Sequence, residues 1–165
     1  MHPLFILIVA LTAISNAAIA DQFLRDQEIS FRANSIEDKV IESGGMLEMC
    51  DTFLESSGCV DDHEIEIHQM RIVAGNELTP VSPEGVHQDG YRFIAMVGIN
   101  RYNITGGNLL VCKTDEGEPP IVDFPLDDGE MLMLDDRAMW HDATPIKQVS
   151  HEVQGWMDAF ILTAR

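Results

Sequence analysis

The sequence predicts a mainly β domain with helices at its N-terminal side. From Glu64 onward, short runs of apolar and β-branched residues are separated by segments rich in Gly, Pro, Asp and Ser. Turn-forming segments at this spacing are typical of a sandwich or barrel of antiparallel strands. The predicted strands are the alternating stretch around Ile65 and Ile67, then Tyr91–Ile99, Asn108–Cys112, Ile121–Phe124, Met131–Leu134 and Met157–Thr163.

The stretch before these strands has a different periodicity. Apolar residues there recur at helical intervals, as in Ile36 and Val40 and again in Met46, Met49 and Phe53, with a break expected at Gly44-Gly45. We therefore divide the chain into an N-terminal segment of residues 1–20, a helical support region of residues 21–60 and a β core of residues 61–165. The length is that of one domain.

The composition excludes several classes of protein. Hydrophobic residues make up 45% of the 165, too many for a disordered chain. The 28 acidic and 10 basic side chains give a formal charge of −18, which repels nucleic acid and anionic lipid surfaces. We expect no nucleic-acid partner and no stable membrane insertion of the mature domain. The three cysteines are too few for a disulfide scaffold, and the absence of C-x-x-C argues against a zinc site of that kind.

Residues 1–20 contain no Asp, Glu, Lys or Arg. The apolar run Leu4–Ile14 is too short to span a bilayer, and Ala18-Ile19-Ala20 has the small-x-small form of a secretory cleavage site. Met1-His2-Pro3 lacks the basic residue usual at the start of a signal peptide. Three interpretations stay open: a cleaved signal, which implies a secreted or periplasmic protein, a buried N-terminal apolar helix, or a misplaced start codon.

Two histidines and one aspartate form the candidate catalytic site. His87 and Asp89 are two residues apart, so on a strand their side chains share one face at a separation of about 6–7 Å. His141 follows much later, far enough along the chain for a strand to cross a barrel and return. Two imidazoles and one carboxylate on one side of a metal ion leave three octahedral positions open, as in non-haem Fe(II) oxygenases.

The residues around this triad resemble those of the 2-oxoglutarate/Fe(II) dioxygenase family, which includes bacterial free amino-acid hydroxylases such as isoleucine dioxygenase. The resemblance covers about residues 46–164. Its motifs are His68-Gln69-x-Arg71-Ile72, Pro83-Glu84-Gly85-Val86-His87-Gln88-Asp89-Gly90, Asn100-Arg101-x-Asn103-Ile104-x-Gly106-Gly107 and Leu134-Asp135-Asp136-Arg137-x-x-Trp140-His141-Asp142-x-Thr144-Pro145-Ile146.

This resemblance implies a double-stranded β-helix, or jelly roll, in which His87, Asp89 and His141 bind Fe(II). It also implies 2-oxoglutarate and O₂ as co-substrates, hydroxylation of a small molecule of the free amino-acid class, and a cytoplasmic location. His68 is interpreted as a strand residue that bonds a neighbouring loop. Asp135-Asp136 is interpreted as a turn with a local ion pair to Arg137, in preference to a second metal site.

One position departs from the family pattern. Family members usually carry an aromatic-Arg-Asp sequence whose Arg binds the distal carboxylate of 2-oxoglutarate, whereas this chain has Trp156-Met157-Asp158. Met157 offers no charge and no hydrogen-bond donor, and a buried carboxylate without a partner costs several kcal/mol. We expect Lys113 to supply the cation, with Arg71 and Arg92 as further candidates.

Met157 also keeps two other functions open. The chain could be a metal-binding or small-ligand-binding barrel that has lost turnover. It could also be an Fe(II) oxygenase that does not use 2-oxoglutarate.

Overall fold

A computed structural model describes residues 36, 38–58, 64–116 and 119–164 of the chain. The predictions for residues 1–20 and for residues 21–35 lie outside the described residues. Within the described ranges, no helix has the length and apolar character needed to cross a membrane. The helices are α1 (Asp38–Ile41) and α2 (Gly44–Ser57), and the strands are β1 (Ile65–Ala74), β2 (Phe93–Tyr102), β3 (Ile104–Gly106), β4 (Asn108–Cys112), β5 (Val122–Pro125), β6 (Met131–Asp135), β7 (Trp140–Ala143), β8 (Ile146–Gln148) and β9 (Gly155–Ala164).

Helix α2 is the longer helix, and its start differs from the expectation. Instead of breaking at Gly44-Gly45, the helix begins there, because the Ser43 side chain caps it by accepting from the Met46 amide at 3.2 Å. Gly58 ends it in the left-handed conformation, with φ of 66°. The buried face of the helix includes Met46, Met49 and Phe53.

The strands form antiparallel sheets that confirm the predicted jelly-roll class. A four-stranded sheet has the order β1-β9-β2-β6, a three-stranded sheet has the order β5-β4-β7, and β3 pairs with β8. The apolar cluster between the two larger sheets contains Ile94 and Met96 of β2 with Leu109 and Val111 of β4. The other face of the four-stranded sheet packs against α2, so we call these the inner and outer faces.

A β-bulge in β2 changes which residues reach the inner face. Through Gly98 the even-numbered residues point inward, but the register against β9 shifts between Gly98 and Asn100. A Cβ on Gly98 would collide with the carbonyl oxygen of Asp127, so the β5–β6 turn requires glycine there. Beyond the bulge, Arg101 lies opposite Met157.

Candidate metal centre

The predicted triad comes together between the two sheets. His87, Asp89 and His141 each offer one ligand atom, and these atoms lie within 4.8 Å of one another. Asp89 Oδ1 lies 3.8 Å from His87 Nε2, and Asp89 Oδ2 lies 3.4 Å from His141 Nε2. His141 is buried, His87 is half-buried and Asp89 is the most exposed of the three, so the centre opens toward solvent on the aspartate side.

Backbone pairing holds the two histidines together. The His87 amide donates to the His141 carbonyl and the His141 amide donates to the His87 carbonyl, both at 2.9 Å. His141 also lies opposite Val111 of β4, a residue of the inner apolar cluster. The period-2 argument treats the H-x-D sequence as the start of the predicted strand Tyr91–Ile99, and the structure shows that it is not part of that strand. It belongs to a preceding segment that pairs with β7, while β2 starts at Phe93.

Each imidazole presents Nε2 to the centre. His87 Nδ1 lies 2.7 Å from the Gly85 carbonyl oxygen, which can only accept, so Nδ1 carries the proton. His141 Nδ1 is buried and has no hydrogen-bond partner among the described residues, although Asp136 Oδ1 lies 3.5 Å away. Burial raises the pKa of Asp89, but the interaction of its carboxylate with the His141 side chain and the charges of nearby histidines outweigh it and lower the pKa below its usual value.

This donor set fits Fe(II). Two imidazole nitrogens and one carboxylate are the ligands of the facial triad found in non-haem Fe(II) oxygenases. His87 would bind through the nitrogen left free by its bond to Gly85, which is the usual way a protein fixes a metal-binding tautomer. A second carboxylate, that of Glu84, lies at the edge of the centre, with Oε1 3.2 Å from His87 Nε2.

Asp136 is a site residue that the sequence interpretation missed. The predicted turn is formed by Asp135, whose carboxylate accepts from the Arg137 amide at 3.1 Å. Asp136 is instead fully buried, and its carboxylate accepts from the amides of Asp89, Gly90 and Tyr91. The prediction was therefore wrong for Asp136. The sequence offers no signal for it, since the partners lie more than 40 residues earlier in the chain.

The residues predicted to anchor 2-oxoglutarate lie in different surroundings. Lys113 is exposed and directly follows β4, two residues beyond Val111. Arg71 is on the outer face, where it binds the Asp158 carboxylate through Nε at 2.7 Å and Nη2 at 2.6 Å. This bond is the main reason the pKa of Arg71 is raised. Met157 is on the inner face, opposite Ile72 of β1.

Arg101 is a further cation beside Met157. Its guanidinium donates to the carbonyl oxygens of Gly106 and Gly107, and burial lowers its pKa despite the charges of Asp127 and Asp128. A Cβ placed on Gly107 would lie 3.1 Å from Met157 Sδ and 3.2 Å from Arg101 Nη1. The guanidinium and the thioether therefore lie side by side. In the sequence, Arg101 is distinguished only as part of a family motif.

His68 and Arg92 lie in different surroundings from each other. His68 lies on the inner face of β1, and its charge contributes to the lowered pKa of Asp89, after the larger effects of burial, His141 and His87. Arg92 is exposed and lies over the Phe93 ring, with Cζ 4.9 Å from the ring centroid.

Comparison with known proteins identifies one matching family model and several solved structures of similar fold. The family model described as 2OG-Fe dioxygenase matches residues 20–163. A bsmA homologue from Methylobium petroleophilum is 27% identical with a TM-score of 0.66, over 81% of this chain and 56% of that one. IDO from Bacillus thuringiensis is 18% identical with a TM-score of 0.69, over 81% of this chain and 61% of that one.

A third solved structure, the Fe(II)/α-ketoglutarate-dependent dioxygenase TqaL, is 15% identical with a TM-score of 0.60, over 83% of this chain and 59% of that one. The matched region thus spans between 56% and 61% of the length of these proteins. A search of curated proteins finds no match.

Proposed function

Because this chain belongs to the 2OG-Fe dioxygenase family, we propose that it is an Fe(II)- and 2-oxoglutarate-dependent dioxygenase that hydroxylates a small molecule. His87, Asp89 and His141 bind the metal. The observation that carries this proposal is the convergence of their ligand atoms to within 4.8 Å in a chain of this family. When bound, Fe(II) supplies the redox chemistry by which O₂ and 2-oxoglutarate oxidise the substrate, leaving succinate and CO₂.

The residues of the chain position the reactants and exclude water. The protein provides one face of ligands, which leaves the remaining positions to the co-substrates. Val111, opposite His141, belongs to the apolar cluster between the sheets, so the inner side of the centre is dry while the Asp89 side is open. Substrate enters from the open side.

A free amino acid is the proposed substrate class. The support is the resemblance of the four motifs to free amino-acid hydroxylases, together with the Glu84 carboxylate at the edge of the centre. Because His87 carries its ring proton on Nδ1, its Nε2 offers that carboxylate no hydrogen bond. The carboxylate is then available to pair with the ammonium group of an amino acid.

Arg101 is our preferred anchor for the distal carboxylate of 2-oxoglutarate. It points to the inner face beside Met157, the position at which the family usually has Arg, and it is partly shielded from solvent. Arg71 already pairs with Asp158 on the outer face. Lys113 remains the second candidate because it follows a strand that borders the metal centre, although its exposure weakens a charge-assisted bond.

Binding measurements on the Fe(II)-loaded protein without O₂ test these assignments. We expect His141→Ala to lose Fe(II) affinity. We expect Arg101→Gln to bind Fe(II) as the wild type does but to bind 2-oxoglutarate more weakly by about one to two orders of magnitude, the equivalent of one charge-assisted hydrogen bond of roughly 1.5–3 kcal/mol. Arg92→Gln is the matched control and should bind 2-oxoglutarate normally. Weakening confined to Lys113→Gln would assign the anchor to Lys113 instead.

Turnover is measured as succinate release coupled to O₂ uptake across a panel of free amino acids. Because Met157 offers 2-oxoglutarate no charge, it favours the two alternative functions, an oxygenase that does not use 2-oxoglutarate and a barrel that has lost turnover. The same assay distinguishes them. Fe(II) binding with O₂ uptake that ignores 2-oxoglutarate indicates an oxygenase that does not use this co-substrate. Fe(II) or small-ligand binding without any uptake indicates a barrel that has lost turnover. Either outcome contradicts the proposed function.

A further inference from the structure

The buried Asp136 carboxylate is bonded to the chain segment that carries Asp89. Oδ1 accepts from the Asp89 amide at 3.2 Å, while Oδ2 accepts from the amides of Gly90 at 2.8 Å and Tyr91 at 3.1 Å. The Asp136 amide also donates to the Arg92 carbonyl at 3.2 Å. A buried carboxylate requires such partners, and these three N–H donors satisfy both of its oxygens.

The same carboxylate faces the second ligand-bearing segment. Oδ1 lies 3.5 Å from His141 Nδ1, a buried atom without another partner among the described residues. A movement of roughly 0.5 Å would give a hydrogen bond of ordinary length. A carboxylate can only accept, so this contact is favourable only if Nδ1 carries a proton, and in a neutral imidazole Nε2 then keeps its lone pair. The Gly85 carbonyl plays that part for His87.

We propose that Asp136 is a positioning residue of the metal centre. It fixes the backbone that carries Asp89, and it holds His141 in the tautomer and orientation that leave Nε2 free for a metal. One carboxylate thereby links two ligands that are distant in sequence. This inference rests on the proposed metal site, and it assigns Asp136 no contact with the metal itself.

The tautomer of His141 is the first test, and it requires no variant. Nitrogen chemical shifts and long-range couplings of the ¹⁵N-labelled, metal-free wild type distinguish Nδ1–H from Nε2–H in a neutral imidazole. We expect Nδ1–H for both His87 and His141. An Nε2–H tautomer at His141 would overturn the proposal. This result is independent of catalysis, so it stands even if the proposed dioxygenase activity is not found.

Metal binding by two variants is the second test. Asp136→Asn removes the charge and replaces one acceptor oxygen with a donor that opposes the amides and Nδ1–H. Asp135→Asn makes the same chemical change at the exposed neighbouring position. Removing an outer partner of a ligating histidine usually costs 10-fold to 100-fold in metal affinity, and we expect about that loss for Asp136→Asn with Fe(II) or Co(II). Asp135→Asn should bind as the wild type does.

A merely structural role for Asp136 gives a different pattern. Asp136→Asn would then unfold at lower denaturant concentration but, while folded, bind Co(II) as tightly as the wild type, and the proposal would be wrong. If Asp136→Asn does not fold, the tautomer of the wild-type His141 decides alone. Absence of metal binding by the wild type would contradict the proposed function. The tautomer of His141 would still test whether Asp136 orients that ring.

Discussion

Substituting alanine at Gly107 and at Gly58 separates backbone strain from crowding beside Arg101. Both glycines have left-handed backbones, with φ of 68° and 66°, so each alanine costs roughly 1–2 kcal/mol in conformational energy. A Cβ at Gly58 meets nothing within 4 Å. A Cβ at Gly107 lies 2.8 Å from Cγ2 of Ile146, a fully buried residue, and also contacts Met157 and Arg101.

The extra contacts at Gly107 set the expected difference. Overpacking of a filled interior costs about 1–3 kcal/mol, so Gly107→Ala should destabilise the protein by that much more than Gly58→Ala does. Urea unfolding followed by tryptophan fluorescence measures both free energies of unfolding. Equal losses of stability for the two variants would refute the packing argument.

The same pair of variants tests the anchor for 2-oxoglutarate. Because Arg101 must move to admit the new methyl group, Gly107→Ala should weaken 2-oxoglutarate binding while Gly58→Ala should not. Fe(II) affinity should stay the same in both, since neither glycine bonds to the residues of the triad. Normal 2-oxoglutarate affinity in a destabilised Gly107→Ala protein would contradict the role of Arg101.

Three further predictions concern stability and reactivity. Phe53→Ala should lower the free energy of unfolding, measured in urea, by about 3–5 kcal/mol, because this ring is fully buried between α2 and the sheet. Leu47→Ala, on the exposed side of the helix, should change it by less than about 0.5 kcal/mol. Arg71→Ala should lower the free energy of unfolding by roughly 1–3 kcal/mol, because it leaves the Asp158 side chain, only 11% exposed, without its partner. Adding Asp158→Ala should recover part of that loss. Full additivity of the two substitutions would show that the pair does not interact. Burial and the nearby Asp142 carboxylate raise the pKa of Cys112, which is buried. Iodoacetamide at pH 8 should therefore label this thiol slowly until urea unfolds the protein. Equal labelling rates before and after unfolding would show that the thiol is accessible in the folded protein.

The sequence was sufficient to predict the fold class and the convergence of the triad. Strand periodicity and turn spacing predicted the β core, and the order of the family motifs identified His87, Asp89 and His141. The local structure around the H-x-D sequence could not be predicted as well. Period-2 spacing places His87 and Asp89 on one face of any strand, but it cannot tell that this segment pairs with β7 and is not the start of the strand that follows.

Asp136 was beyond prediction for a different reason. An acidic residue after an apolar strand is most often a solvated turn, and Asp135 has that role here. Asp136 is buried only because three amides of a distant segment point at its carboxylate. Such a bond depends on how two chain segments meet, and no local pattern in the sequence specifies it.

The orientation of Arg101 depends on one extra residue in β2. Counting alternate residues from Ile94 and Met96, which face the inner cluster, would put Arg101 on the outer face with Val97. The bulge between Gly98 and Asn100 reverses the alternation, so Arg101 turns inward to meet Met157. The same reversal places Tyr102 on the outer face, where its ring stacks on Trp156 at 4.5 Å between centroids. Met157, where the family pattern has Arg, thus lies opposite a guanidinium supplied by the neighbouring strand, and Gly98 beside the bulge leaves no room for a side chain against the β5–β6 turn.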